Sequence, residues 1–200
     1  MNPFDSVRNF EQAIADFAGA PYGVAVETCT AALLLSCAYK QVKEVEIPKY
    51  TYVSVPCSII HAGGKVKFRD EDWKGIYELK PYKIIDGALR FKKGMYKSGT
   101  LHCLSFHFKK LLPLGRGGMI LTDDKRAVDW LRKARFDGRT EGVSTLEDNF
   151  EIVGWNFYMY PEIASRGLHV FSFIKDKELD DIDPKTQGYP DLSQFPIFTK

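Results

Sequence analysis

Apolar positions recur along the chain with two alternating periods. "DSVRNFEQAIADFAG" places Phe10, Ile14 and Phe17 on one helical face, and Gly19 stops the run. The short apolar stretch "GVAV" reads as a strand. "TCTAALLLSCAYK" is apolar nearly all round, the mark of a buried helix, and two threonines open it. "VEIP" is the next strand. "TYVSVPCSIIHAGG" predicts a helix ending at Gly63-Gly64, with Pro56 marking either a kink or a late start. "KVKF" and "YKIID" follow as strands, then "LHCLSF" and "GMILTD". "DKRAVDWLRKARFDG" is amphipathic with Val128, Leu131 and Phe136 inward, and "YPEIASRGLHVFSFI" is a last helix.

Strands that alternate with helices predict an α/β protein: a three-layer α/β/α sandwich whose mostly parallel sheet is covered on both faces. The alternation runs through residues 1–175, read as one large domain. Residues 176–200 are charged, then rich in proline and polar residues without periodicity, which predicts an extended C-terminal tail.

A length of 200 residues suffices for one sizeable core, and 44% hydrophobic with 27% charged residues is ordinary for a globular chain. The net charge of +2 gives no argument for nucleic acid or an anionic membrane as partner. No apolar run reaches transmembrane length, and "MNPFDSVRNFEQ" is unlike a secretory signal. Cys29, Cys37, Cys57 and Cys103 show no C-x-x-C pairing and are expected to be reduced, mostly buried thiols of a cytoplasmic protein. The four histidines are scattered, so no metal site is expected.

Ligands of such sheets bind beyond the carboxyl ends of the strands, so the polar residues there are the candidates. Glu27-Thr28-Cys29-Thr30 follows "GVAV" and opens a helix, where amides and hydroxyls can hold a phosphate; Thr28 could equally be only an N-cap. Asp86 closes "YKIID" beside Gly87-Ala88, where a carboxylate can approach a flat ligand or simply stabilise a turn. Tyr52 could stack on a ring or serve as an ordinary aromatic. The stretch "SFHFKKLLPLGRGGMILTDD" carries Lys109 and Lys110 five residues or fewer after Ser105. A lysine in an apolar setting loses solvation, its pKa falls, and its amine can attack an aldehyde; most lysines are solvated surface charges.

The order of these segments, from Phe10 to about Phe171, resembles the DegT/DnrJ/StrS family of sugar aminotransferases. Those enzymes use pyridoxal 5′-phosphate on the fold type I aminotransferase scaffold. "FEQAIADFAGAPYGVAVETCTAALLLSCAY" is similar to the family's opening helix, strand and S-G-T-A-A-L phosphate segment. "IPKYTYVSVPCSIIHAGGKVKFRDED", "IIDGALRF", "SFHFKKLLPLGRGGMILTDD" and "GWNFYMYPEIASRGLHVF" match further family segments in the family's order.

The resemblance implies roles by position. Lys110 falls on the Schiff-base lysine, and Lys109 on a variable position. Asp86 would pair with the pyridine nitrogen, Tyr52 would stack on the ring, and Leu89 stands where the family has a glutamine beside the ring oxygen. Thr28, Cys29, Thr30 and Ser105 would bind the phosphate, and Asn156 would reach the phosphate in a neighbouring subunit of a homodimer. The implied reaction moves an amino group from an amino acid, glutamate, to a nucleotide-linked keto sugar. Alternatives are another sugar-modifying reaction on the same cofactor, with His107 nearby, and a cofactor-binding but catalytically weak partner or regulator.

Four departures stand out: Leu89 for glutamine, Cys29 for glycine, Arg116 for glutamate and Tyr158 for arginine. Arg116 is expected to depress the Lys110 pKa further, and could also attract a carboxylate or phosphate. Family members usually continue into a small C-terminal domain; here only a short tail follows the last matching segment, so a minimal large domain or a fragment is expected.

Overall fold

The computed structural model describes residue 2 and residues 4–199. In chain order its elements are α1 (Asp5–Ala18), β1 (Tyr22–Val26), α2 (Cys29–Tyr39), β2 (Glu44–Pro48), α3 (Ser54–His61), β3 (Lys65–Arg69) and β4 (Tyr77–Leu79). Then come β5 (Ile84–Asp86), β6 (Leu101–Ser105), β7 (Gly118–Thr122), α4 (Lys125–Ala134) and α5 (Pro161–Ile174).

Local chemistry sets most of these boundaries. Phe10 and Ile14 of α1 are buried, and Gly19 ends the helix in the left-handed region at φ 77°. Residues Ala31 to Cys37 of α2 are buried without interruption, as an all-round apolar helix requires. The α3 helix begins at Ser54, so Pro56 lies in its first turn, where no intrahelical N–H is needed; the proline marks a late start rather than a kink. The Asp124 carboxylate caps α4 by accepting from the Arg126 and Ala127 amides at 2.9 and 3.2 Å. Val128 and Leu131 face inward, but the helix ends at Ala134. Phe136 lies beyond it, half-buried, packed edge-on against Phe4 and Tyr158.

The main sheet has the order β1-β7-β6-β5-β4, and β2 pairs with β3. The Glu46 and Lys80 backbones exchange hydrogen bonds of 2.9 and 3.1 Å and link β2 to the β4 edge. Five strands therefore run one way: β1, β2, β3, β5 and β6. Neighbours are mixed, however, and the expectation of a mostly parallel sheet is corrected. Only β2/β3 and β5/β6 pair in parallel, because β7 and β4 run against their neighbours. The physical reason is connectivity. Residues 80–83 turn β4 back into β5, and residues 106–117 leave and re-enter at one edge, whereas a parallel neighbour needs a crossover over a face.

Both faces of the sheet are covered, giving three layers. Val24, Val26, Leu101, Cys103 and Ile120 pack against α2, α3 and α4. Ala25, Leu104, Met119 and Leu121, pointing the other way, pack against α1 and α5. Residues 176–199 differ from a free extended arm. Three short 3-10 turns form there, and Pro184 and Leu192 are buried against the body of the protein.

All four cysteines are free thiols, with Cys37 and Cys103 buried and Cys29 and Cys57 half-buried. Among the described residues no three His, Cys, Asp or Glu side chains gather as a metal site, and no helix is long and apolar enough to cross a membrane.

Candidate active site

The carboxyl ends of β1, β2, β5 and β6 open onto a cavity of about 360 Å³. Since β7 runs the other way, its first residues arrive at the same edge. Gly118 there presses on the start of α2: a Cβ would lie 2.4 Å from the Thr28 carbonyl carbon and 2.6 Å from the Cys29 nitrogen. Only glycine permits that approach, and it fixes where the first amides of α2 point.

Thr28 caps α2 through its Oγ1, which accepts from the Ala31 amide at 3.0 Å. Helical bonding begins with the Ala32 amide donating to the Thr28 carbonyl, so the Cys29 and Thr30 amides precede it. The N-cap reading and the anion-site reading are thus compatible: the threonine side chain holds the turn, and Thr28, Cys29 and Thr30 all line the cavity. Cys29 sits in ordinary helical backbone, not at positive φ, so replacing the family glycine costs nothing there. Its thiol is held protonated, with burial the main cause and Asp86 adding to it. Thr30 donates its hydroxyl to Ser54 Oγ at 2.9 Å, and Ser105 lines the same corner.

Asp86, at the end of β5, is buried. Its Oδ1 accepts from the Ala88 amide at 2.9 Å and its Oδ2 from the Tyr77 hydroxyl at 2.8 Å. Tyr77 has spent its one proton on Asp86, so Thr51, 2.6 Å away, donates to the tyrosine oxygen. Burial raises the Asp86 pKa; the Ala88 amide, the Tyr77 hydroxyl and the Lys110 charge act in the opposite direction. The result is a carboxylate aimed by a fixed relay and in need of a cation.

Lys110 supplies one amine to the cavity. It is half-buried on the loop between β6 and β7, and desolvation lowers its pKa, with the Lys109 charge adding and Asp86 opposing. Lys109 is exposed, its Nζ 5.8 Å from the centroid of the Phe108 ring. The expectation that Arg116 acts on Lys110 is corrected. Arg116 donates to Glu27 Oε2 at 2.8 Å, the carboxylate pairing also expected of it, and is not among the groups shifting the lysine.

Eight of the nine residues expected around the cofactor line this one cavity: Thr28, Cys29, Thr30, Tyr52, Asp86, Leu89, Ser105 and Lys110. Tyr52 is 56% exposed at its rim, and Leu89 is buried in its wall. Asn156 does not line it; exposed, it donates to Asp137 at 3.0 Å. Sequence reasoning missed Thr51, Tyr77, Trp73, Gln187 and Tyr189, which also build the site. The alternation of Tyr77 and Leu79 about Glu78 was a usable strand signal for the first of them. Nothing local marks Tyr189.

A buried carboxylate, a half-buried amine and the start of a helix around one cavity suit a ligand with a cationic group, a carbon that an amine can attack and an anionic group. Comparison with known proteins narrows the class. The sequence profile of the DegT/DnrJ/EryC1/StrS aminotransferase family matches residues 2–85 and 87–176, and the chain belongs to that family. It is 26% identical to the spore coat polysaccharide biosynthesis protein SpsC of Bacillus subtilis (strain 168), across 90% of this chain and 59% of that protein. Its fold is similar to AtS13 from Actinomadura melliaura, with a TM-score of 0.71 at 18% identity, over 87% of this chain and 61% of that one. The sugar aminotransferase CalS13 from Micromonospora echinospora superposes with a TM-score of 0.72 at 17% identity, over 84% and 60% of the two chains. The chain thus spans about three-fifths of the length of these relatives.

Pyridoxal phosphate is the cofactor that family membership implies. The residues present fit it: Lys110 for the aldehyde, the buried Asp86 for a pyridinium, and the Cys29 and Thr30 amides for the phosphate.

Proposed function

We propose that the chain carries the cofactor site of a pyridoxal-phosphate-dependent aminotransferase. Its substrates are an amino acid donor, glutamate, and a nucleotide-linked keto sugar. The observation that carries this reading is the shared cavity of Lys110, with its pKa depressed by burial, and the buried Asp86. The sugar class is supported by the polysaccharide and sugar functions in the names of SpsC and CalS13.

When bound, pyridoxal phosphate supplies an electron sink for the pair released at the donor's α-carbon. Lys110 would hold the cofactor at its aldehyde carbon and, once freed, would be the amine that moves the proton at the donor's Cα. Burial favours its neutral form, the form that can take a proton. Asp86 would accept from the ring nitrogen and keep it protonated; Tyr77 with Thr51 keeps Asp86 in place. Thr28, Cys29, Thr30 and Ser105 would hold the phosphate, Tyr52 would cover the ring, and Leu89 would contribute packing without a hydrogen bond. Asn156, exposed away from the cavity, is assigned to the phosphate of a second copy in a homodimer.

Leu89 favours a second reading, a family member that binds the cofactor but turns over weakly. Added pyridoxal phosphate separates the two. The full chain should develop a violet absorption band, and borohydride should fix the cofactor onto the peptide carrying Lys110. Lys110→Ala should abolish the band, and Lys109→Ala should keep it. Glutamate should then bleach it. No band sinks both readings; a band that no amino acid bleaches sinks the aminotransferase.

A further inference from the structure

Residues 181–192 cross the mouth of the cavity as a strap fixed at both ends. At one end Arg90 grips Asp181 with two hydrogen bonds, Nε at 3.0 Å and Nη2 at 2.6 Å, and Lys92 stands 3.4 Å away. Beside it the Ile182 amide donates to the Leu89 carbonyl at 2.9 Å. Gly75 leaves room for this anchor, since a Cβ there would lie 2.6 Å from the Asp181 carboxyl carbon. At the other end the Leu192 amide donates to the Lys49 carbonyl at 2.9 Å, Lys49 pairs with Asp191 at 3.6 Å, and Leu192 is buried. Leu89 follows β5 and Lys49 follows β2, so the span between the anchors passes over the site.

The middle of the strap presents Gln187 and Tyr189 to the cavity. The Tyr189 ring lies 6.2 Å from that of Tyr52, tilted by 55°. Burial raises its phenol pKa, and the Asp86 carboxylate acts in the same direction, so it is a neutral hydroxyl. On the outer side, Tyr189 and Trp73 wall a second hollow of about 310 Å³, which Tyr50, Asp72 and Lys185 also line. Tyr189 and Trp73 thus stand between two hollows that would otherwise merge.

We infer that Tyr189 is a binding residue of the cofactor cavity, forming with Tyr52 and Trp73 an aromatic outer wall that the strap holds shut. The inference rests on the proposal that this cavity takes pyridoxal phosphate. The strap supplies the site with a side chain from outside the sheet. It also excludes water from the side on which Asp86 and Lys110 act, which strengthens their electrostatic interactions.

Titration of the full chain with pyridoxal phosphate tests this, with the violet band giving the dissociation constant and acrylamide quenching of the reduced, fluorescent adduct reporting exposure. Tyr189→Ala should raise the dissociation constant about three- to tenfold and increase quenching, the scale of one lost aromatic contact. Tyr189→Phe, which keeps the ring, should stay within about twofold. Asp181→Asn, which loosens an anchor outside the cavity, should reproduce the increase in quenching. Tighter binding by Tyr189→Ala would make the tyrosine a plug rather than a wall, and unchanged binding and quenching would make it a bystander; either overturns the inference. A wild-type chain that binds no cofactor overturns the underlying proposal as well, and the two failures are told apart by that control.

Discussion

His102 shows how one buried side chain sets a stability limit. It lies on β6, fully buried, and neither ring nitrogen has a partner among the described residues. Gly87 makes room for it: a Cβ there would lie 2.5 Å from Nε2. Burial, with the Arg90 charge second, holds its pKa down at about 4, against 6.5 for a free imidazole. Below about pH 6.5 the unfolded chain takes up a proton that the folded chain refuses. Stability contributed by this group is therefore complete at neutral pH, falls as pH drops towards about 4, and levels off below, a loss of about 3 kcal/mol. His102→Leu should flatten that window when urea midpoints are followed against pH; parallel curves for the two proteins would discard the idea. The site residues at this scale were legible where they ended a strand. Thr28, Asp86 and Ser105 stand at the ends of apolar runs, which made them candidates beside blander readings; Lys110 was told from Lys109 only by the family resemblance. Tyr77 and Tyr189 were not legible, because their roles come from contacts with Asp86 and Tyr52, which local sequence does not encode.

Elements with a strong period were legible and their directions were not. The apolar face of α1 and the all-round apolar α2 predicted themselves. Whether a strand runs with or against its neighbour depends on the connection, and the 106–117 loop carries no helix to signal its return. That return matters, because it brings Gly118 against α2. Gly118→Ala should push the Thr28–Cys29 backbone away and spoil the phosphate amides. The expected readout is a loss of preference for pyridoxal phosphate over pyridoxal by about tenfold, equal to roughly 1.4 kcal/mol. If both ligands weaken alike, the contact shapes the cavity generally and not the phosphate corner.

Across the whole molecule, one ion cluster ties distant segments. Arg135, just past α4 and buried, donates to Glu11 of α1, to the Ala25 carbonyl of β1 and to Glu141. Glu11 is also buried, accepts from the Ala25 amide at 2.8 Å and meets Arg132 at 3.2 Å. In sequence Arg135 reads as a routine basic residue at a helix end, and only the packing of α1 beside β1 and α4 makes it internal. Arg135→Met leaves Glu11 buried with the Ala25 amide and Arg132 as its partners, stripped of its buried cation, and should cost about 3–5 kcal/mol in denaturant unfolding. A cost below about 1 kcal/mol would mean that water reaches the pair.

The backward run of β7 has one more consequence. The loop that carries Lys110 leaves and re-enters the fold at one edge, closed by the Phe106 amide on Gly117 and the Leu114 amide on Phe106. Its return half is rooted in the core: Leu112 and Leu114 are buried in the cluster that α1 and α5 share. The reach of the amine is therefore set by the same packing that holds the helical layer to the sheet. A residue added or removed between Lys110 and Gly115 would pull those leucines from their places, so the loop's length is fixed by the core rather than left open to the substrate.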